Sequence, residues 1–199
     1  MPAATASRSL HHGEPVLADA RAAFHDLLMA QAGGLANDDL FARMLASRMH
    51  GSGALPPGLG LAEADFSALM ARHFPGFMLP AKWGDADVEA ARQTEREELL
   101  TLLREHCGSG DVSERWMAEI VTAACMGGDH LWQDLGLWSR ADLSRLMTQN
   151  FPALAARNNR DMKWKKFLYK QLCDREGVVV CRSPSCEVCA DYGKCFGPE

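Results

Sequence analysis

Gly60-Leu61-Ala62-Glu63-Ala64-Asp65-Phe66-Ser67-Ala68-Leu69-Met70-Ala71-Arg72-His73-Phe74-Pro75 decides the fold, because the chain repeats its pattern later. The second version is Gly136-Leu137-Trp138-Ser139-Arg140-Ala141-Asp142-Leu143-Ser144-Arg145-Leu146-Met147-Thr148-Gln149-Asn150-Phe151-Pro152. Gly-Leu, Asp, Ser, Leu-Met and Phe-Pro recur at an offset of 76 to 77 residues. The likeness extends upstream. Leu45 to Gly51 and Val121 to Gly127 both read as helix ends closing on Met and Gly, and Phe24, Leu27, Leu28 and Gly33 align with Leu99, Leu102, Leu103 and Gly108. An internal period of this kind outweighs local propensity in choosing a fold. It predicts two diverged copies of one three-helix unit, over residues 17–77 and 92–154.

Each unit reads as helices. Apolar residues from Leu17 to Gln31 recur with a period near 3.6, and Gly33-Gly34 stops them. Asp38 or Asp39 is placed to cap the next helix, which runs to Met49. A third opens at Ala64-Asp65 and closes at Phe74-Pro75, since a residue before proline is biased out of the helical region. The second unit repeats the order: Thr94 to Cys107, a helix opened by Ser113 and Glu114, then Ser139 to Asn150. One more helix is predicted over Asp161 to Asp174, with Met162, Trp164, Phe167, Leu168 and Leu172 on one side. Strand signals are nearly absent, Val178-Val179-Val180 being the only β-branched run. The predicted fold is therefore all-α: a helical bundle of two diverged three-helix repeats, then a helix and an irregular Cys-rich metal-binding tail. The predicted divisions are a disordered start over 1–16, repeat one over 17–91, repeat two with the basic helix over 92–175, and the tail over 176–199.

Composition narrows the function classes. The 199 residues are 47% hydrophobic, enough to bury a core, and the net charge of −5 argues against a chain that coats nucleic acid. No apolar run is long enough to span a membrane. The start lacks a basic stretch followed by an apolar one, so no secretory signal is expected. Seven cysteines without such a signal point to a reducing, cytoplasmic setting, and an odd number fits poorly with a full disulfide framework.

Four of those cysteines, Cys181, Cys186, Cys189 and Cys195, form the string C-x4-C-x2-C-x5-C near the end of the chain. The tail around them is rich in Pro, Ser and Gly and has too little apolar side chain to fold alone. A bound metal would supply the missing stabilisation. Structural zinc commonly uses two tight Cys pairs separated by a longer loop, whereas a compact string of single ligands resembles iron–sulfur segments. Spacing ranks an iron–sulfur cluster first, zinc second and disulfides last. Cys173 and His130 are candidates for a further ligand, and Cys125 reads as a small buried side chain. Just upstream, Arg157, Arg160, Lys163, Lys165 and Lys166 form a basic segment. It suits an anion such as molybdate, an acidic partner, or plain solvation of a helix face. No hydrolase elbow, phosphate-binding loop, dinucleotide fingerprint or zinc-protease motif is present, so no enzymatic activity is expected.

The C-terminal run resembles the NifQ family of nitrogen fixation. The residues that carry the likeness are Met126-Gly-Gly-Asp-His-Leu-Trp-Gln-Asp-Leu-Gly-Leu137, Asn150-Phe-Pro152, Asp161-Met-Lys-Trp-Lys-Lys-Phe167, Cys181-Arg-Ser-Pro-Ser-Cys186 and Cys195-Phe-Gly-Pro198. The likeness is strong over residues 115–199 and weaker before them. It implies that the four cysteines hold a molybdenum–iron–sulfur cluster, with molybdate as its source. It implies a carrier that supplies molybdenum to the proteins assembling the nitrogenase iron–molybdenum cofactor. The readings that compete with it are a helical interaction module stapled by zinc and a plain iron–sulfur electron carrier.

Overall fold

A computed structural model describes residues 14–79 and 93–176 of the chain. The expected N-terminal disorder over 1–16 falls almost wholly outside the described residues, as do the Val178–Val180 run and all four cysteines of the string. Every regular element among the described residues is helical. They are α1 (Glu14–Met29), α2 (Asp38–Met49), α3 (Glu63–His73), α4 (Gln93–Glu105), α5 (Val112–Cys125), α6 (Leu131–Asp134), α7 (Arg140–Asn150), α8 (Pro152–Arg157) and α9 (Trp164–Glu176), with a 3-10 turn at Pro57–Gly60 between α2 and α3.

The elements start and stop for local reasons. Asp111 caps α5 by accepting from Ser113 N–H at 2.8 Å, and the Ser139 hydroxyl caps α7 by accepting from Asp142 N–H at 3.2 Å. The expectation that Asp38 or Asp39 caps α2 needs correction. Asn37 stands at that N-cap, and Asp38 is already helical, its carboxylate turned back to accept from Leu35 N–H at 2.6 Å. Phe74 and Phe151, each before a proline, leave the helical region at φ −134° and −132°. Pro152 then opens α8, which the sequence reading missed: proline is as well suited to the first helical position as to stopping a helix. The last helix begins at Trp164 rather than Asp161. The Asn158 side chain brackets Met162, donating to its carbonyl and accepting from its N–H at 2.9 Å each, and Asp161 takes a left-handed φ of 51° inside that turn.

One continuous core joins the elements. Phe41, Met44 and Leu45 of α2 belong to it together with Met117, Ile120 and Val121 of α5 and with Leu28, Leu69, Leu99, Leu146, Phe151 and Leu168. Each fully buried Leu or Phe of this set is worth about 1.5–3 kcal/mol of burial. The same backbone bond recurs on both sides of the molecule: Gly33 N–H donates to His73 C=O at 2.8 Å, and Gly108 N–H to Asn150 C=O at 3.1 Å. Two loops meet across the middle. Ala54 N–H donates to Asp134 C=O at 2.9 Å and the Ser47 hydroxyl to Gly136 C=O at 2.5 Å. A Cβ on Gly53 would lie 3.0 Å from Gly136 N, and both residues have positive φ, so this crossing requires glycine.

Polar side chains are buried in the same interior, and they satisfy one another. His73 lies between the Asp38 carboxylate, 2.6 Å from Nδ1, and the Ser113 hydroxyl, 2.8 Å from Nε2. Asn37 and Asn150 exchange reciprocal amide bonds at 2.7 and 3.1 Å. Burial without partners would cost about 1–3 kcal/mol per group, so these pairs fix which helices face each other.

Candidate metal centre

The four-cysteine string begins five residues beyond the end of α9 in the sequence and lies outside the described residues. α9 is held along its length. Its apolar side buries Phe167, Leu168 and Leu172. The Tyr169 hydroxyl donates to Glu95 of α4, and Arg175 forms a two-pronged bond with Glu105 at 2.9 and 3.3 Å. At its head, Lys165 donates to Gly127 C=O at 2.9 Å and pairs with the carboxylate of Asp134. Asp134 is buried, and it also accepts from Asp129 N–H at 3.1 Å.

This makes the stretch from Met126 to Trp138 a fixed structure, although much of it lies at the surface. Lys165 fastens one end to α9. Trp138 fastens the other: its indole N–H donates to the Ser47 hydroxyl at 3.2 Å, and its ring lies between Arg21 and Arg43, whose guanidinium carbons are 4.8 and 4.6 Å from the ring centroid. Asp39 completes the clamp by bonding Arg43, Arg145 and His25. Burial alone would raise the Asp39 carboxyl, but those three partners outweigh it and hold the group far below the usual carboxylate range.

The two candidate further ligands stand apart. His130 is exposed at the N-cap of α6, close to where Lys165 docks, and Gln133 caps it in return by accepting from His130 N–H at 3.3 Å. Cys173 lies two turns farther along α9, about 12 Å of helix rise from Lys165, and is buried. Among the described residues, no three His, Cys, Asp or Glu side chains are grouped to hold a metal. At Cys107, burial, reinforced by the Glu114 charge, pushes the thiol up, and its S–H donates to Leu103 C=O.

The basic segment divides in a way its sequence did not reveal. Arg157 ends α8 and Arg160 sits on the Asn158–Met162 turn, both exposed, while Lys163 is partly exposed just before α9. Lys165 is committed to Asp134 and Gly127, and Lys166 is only 8% exposed. The five cations thus form no single solvent-facing cluster. Lys165 and Lys166, expected with the other three as anion- or partner-binding residues, are the less exposed members of the segment.

The Asp38–His73–Ser113 chain was also not foreseen. Its order is that of a hydrolytic triad, but His73 is 0% exposed and sits against Phe41 and Trp116, so no substrate reaches the serine. The three residues are 35 and 40 positions apart, and no local spacing announces them.

The profile of the NifQ family matches residues 40–197, a span that includes all four cysteines of the string. The chain belongs to the NifQ family. Protein NifQ of Azotobacter vinelandii is 46% identical over 168 residues, covering 79% of this chain and 86% of that protein. Protein NifQ of Rhodobacter capsulatus is 41% identical over 152 residues, 75% of this chain and 81% of its own. Protein NifQ of Klebsiella pneumoniae is 39% identical over 153 residues, with 73% and 90% covered. No solved structure matches the chain. Membership of the NifQ family ties the protein to nitrogen fixation. Among the described residues no helix is long and apolar enough to cross a membrane.

Proposed function

We propose that this NifQ-family chain is a carrier, not an enzyme, for a molybdenum-containing iron–sulfur cluster. Cys181, Cys186, Cys189 and Cys195 hold the cluster as cargo. Molybdate is the source of its molybdenum, and the receivers are the cytoplasmic proteins that assemble the nitrogenase iron–molybdenum cofactor. The observation that carries this reading is the family match, which runs through the C-x4-C-x2-C-x5-C string. Thiolates are soft ligands suited to iron–sulfur chemistry, and a string of them within fifteen residues is placed to converge on one cluster.

The helical body supports the same reading as a rigid mount. Lys165, Tyr169 and Arg175 fix α9, the helix that precedes the cysteine string in the sequence, at its head, middle and end. We also read the body as two diverged copies of one unit. The matched bonds from Gly33 to His73 and from Gly108 to Asn150 support that reading. Arg157, Arg160 and Lys163 serve either molybdate capture or partner docking.

Delivery is the testable part. Protein purified without oxygen and loaded with iron, sulfide and molybdate is added to a molybdenum-starved extract that contains apo-nitrogenase. Restored nitrogenase activity that exceeds the same total molybdenum given as molybdate is the expected result. Equal restoration by molybdate alone, or a preparation that holds only zinc, contradicts the carrier reading.

A further inference from the structure

We propose that the turn between α8 and α9, with Arg157, Arg160 and Lys163, is a docking point for an acidic protein surface. This rests on the carrier reading above and chooses among the ligands that reading leaves open.

Charge is divided along the chain. Residues 1–139 carry ten Lys and Arg against nineteen Asp and Glu, whereas residues 140–199 carry eleven against seven. The C-terminal part of an acidic protein is thus basic. Four exposed arginines elsewhere are neutralised in place: Arg72 by Asp111, Arg104 by Glu119, Arg145 by Asp39 and Arg175 by Glu105. Arg157 and Arg160 are exposed and have no carboxylate partner among the described residues. They flank a turn that cannot wander, because Asn158 is bonded to both the N–H and the C=O of Met162.

Three ligand classes suit a basic segment, and the structure separates them. A small oxyanion needs several donors converging on one point. Here Lys165 is drawn off to Asp134 and Lys166 is buried, which leaves cations three residues apart along an outward turn. Single-stranded nucleic acid needs aromatic faces for stacking, yet Trp164 and Tyr169 lie in the core at 8% and 1% exposure. A protein surface with spread carboxylates needs only exposed cations on a firm support, and such pairing governs encounter rate and orientation. The turn stands at the head of α9, the last described helix before the cysteine string in the sequence.

The test uses the full chain, purified without oxygen, as wild type and as R157E/R160E. Binding is measured by calorimetry with three probes: polyglutamate, a single-stranded oligonucleotide and sodium molybdate. The expected result is salt-sensitive polyglutamate binding by the wild type that weakens about tenfold in the variant, because two attractions are lost and two repulsions replace them. Equal polyglutamate binding by both proteins overturns the proposal. So does tighter binding of the oligonucleotide than of polyglutamate, or molybdate binding lost in the variant. Metal content is measured in the same preparations. Absence of molybdenum and iron from the wild type refutes the carrier reading separately, whatever the polyglutamate result.

Discussion

Replacing Lys165 with Met removes one half of the ion pair that docks α9 on α6. The Asp134 side chain is 3% exposed and that of Lys165 is 12% exposed, so neither charge is well served by water. The Coulomb attraction of such a pair is largely offset by desolvation, but deleting one partner strands the other charge, at a cost of about 3–5 kcal/mol. Asp134 keeps the Asp129 N–H as a donor, which places the expected loss near about 3 kcal/mol. With a urea slope of about 2 kcal/mol per molar, the unfolding midpoint falls by about 1.5 M. The double variant D134N/K165M, with both charges gone, recovers most of that loss, because a buried pair replaced on both sides is close to neutral. Equilibrium urea unfolding followed by circular dichroism measures both. A single variant within about 0.5 kcal/mol of wild type, the usual range for an uncoupled surface change, would refute the reasoning. So would a double variant no more stable than the single one.

Gly127 and Gly128 make a paired test. A Cβ on Gly127 meets the Asp134 carboxylate at 2.5 Å, and that carboxylate is held by Lys165, so G127A should cost about 1–3 kcal/mol in the same unfolding assay. A Cβ on Gly128 meets nothing within 4 Å, and G128A should change stability by less than about 0.5 kcal/mol. His73 gives the chain a pH dependence. Burial lowers its pKa despite the Asp38 carboxylate beside it, so the unfolded chain binds the proton first as pH falls through the ordinary value of 6.5. Stability should therefore hold above that pH and decline below it, and H73N should flatten the slope between about pH 6.5 and 5.5, above the carboxylate range. An unchanged slope in H73N would show that another group sets it.

Much of the helical plan was legible because its signals are local. Phe74-Pro75 and Phe151-Pro152 end helices by restricting one residue, and Ser139 opens a helix with its own hydroxyl. α8 was missed because Pro152 carries two meanings, and only the course of the following chain selects between them. The start of α9 was placed early because Asp161 and Met162 look helical, while the Asn158 side chain imposes a turn. The burial of Lys165 and Lys166 was hidden for a different reason. A lysine run looks solvated until a buried carboxylate 31 residues away claims one member. The same holds for His73, whose partners Asp38 and Ser113 come from two other helices. The cysteine string is the opposite case: spacing alone marks it, and no tertiary contact was needed to find it.

The central claim is that those four thiolates hold molybdenum together with iron. It is tested most directly by metal analysis and electron paramagnetic resonance on protein purified without oxygen and supplied with iron, sulfide and molybdate, beside a variant with Cys181, Cys186, Cys189 and Cys195 all changed to Ser. The account predicts that the wild type retains both metals and gives a paramagnetic cluster signal in one redox state. It predicts that the variant keeps the helical circular dichroism spectrum and loses both metals and signal. A wild type that binds zinc alone, or a four-serine variant that still retains iron and molybdenum, would contradict it.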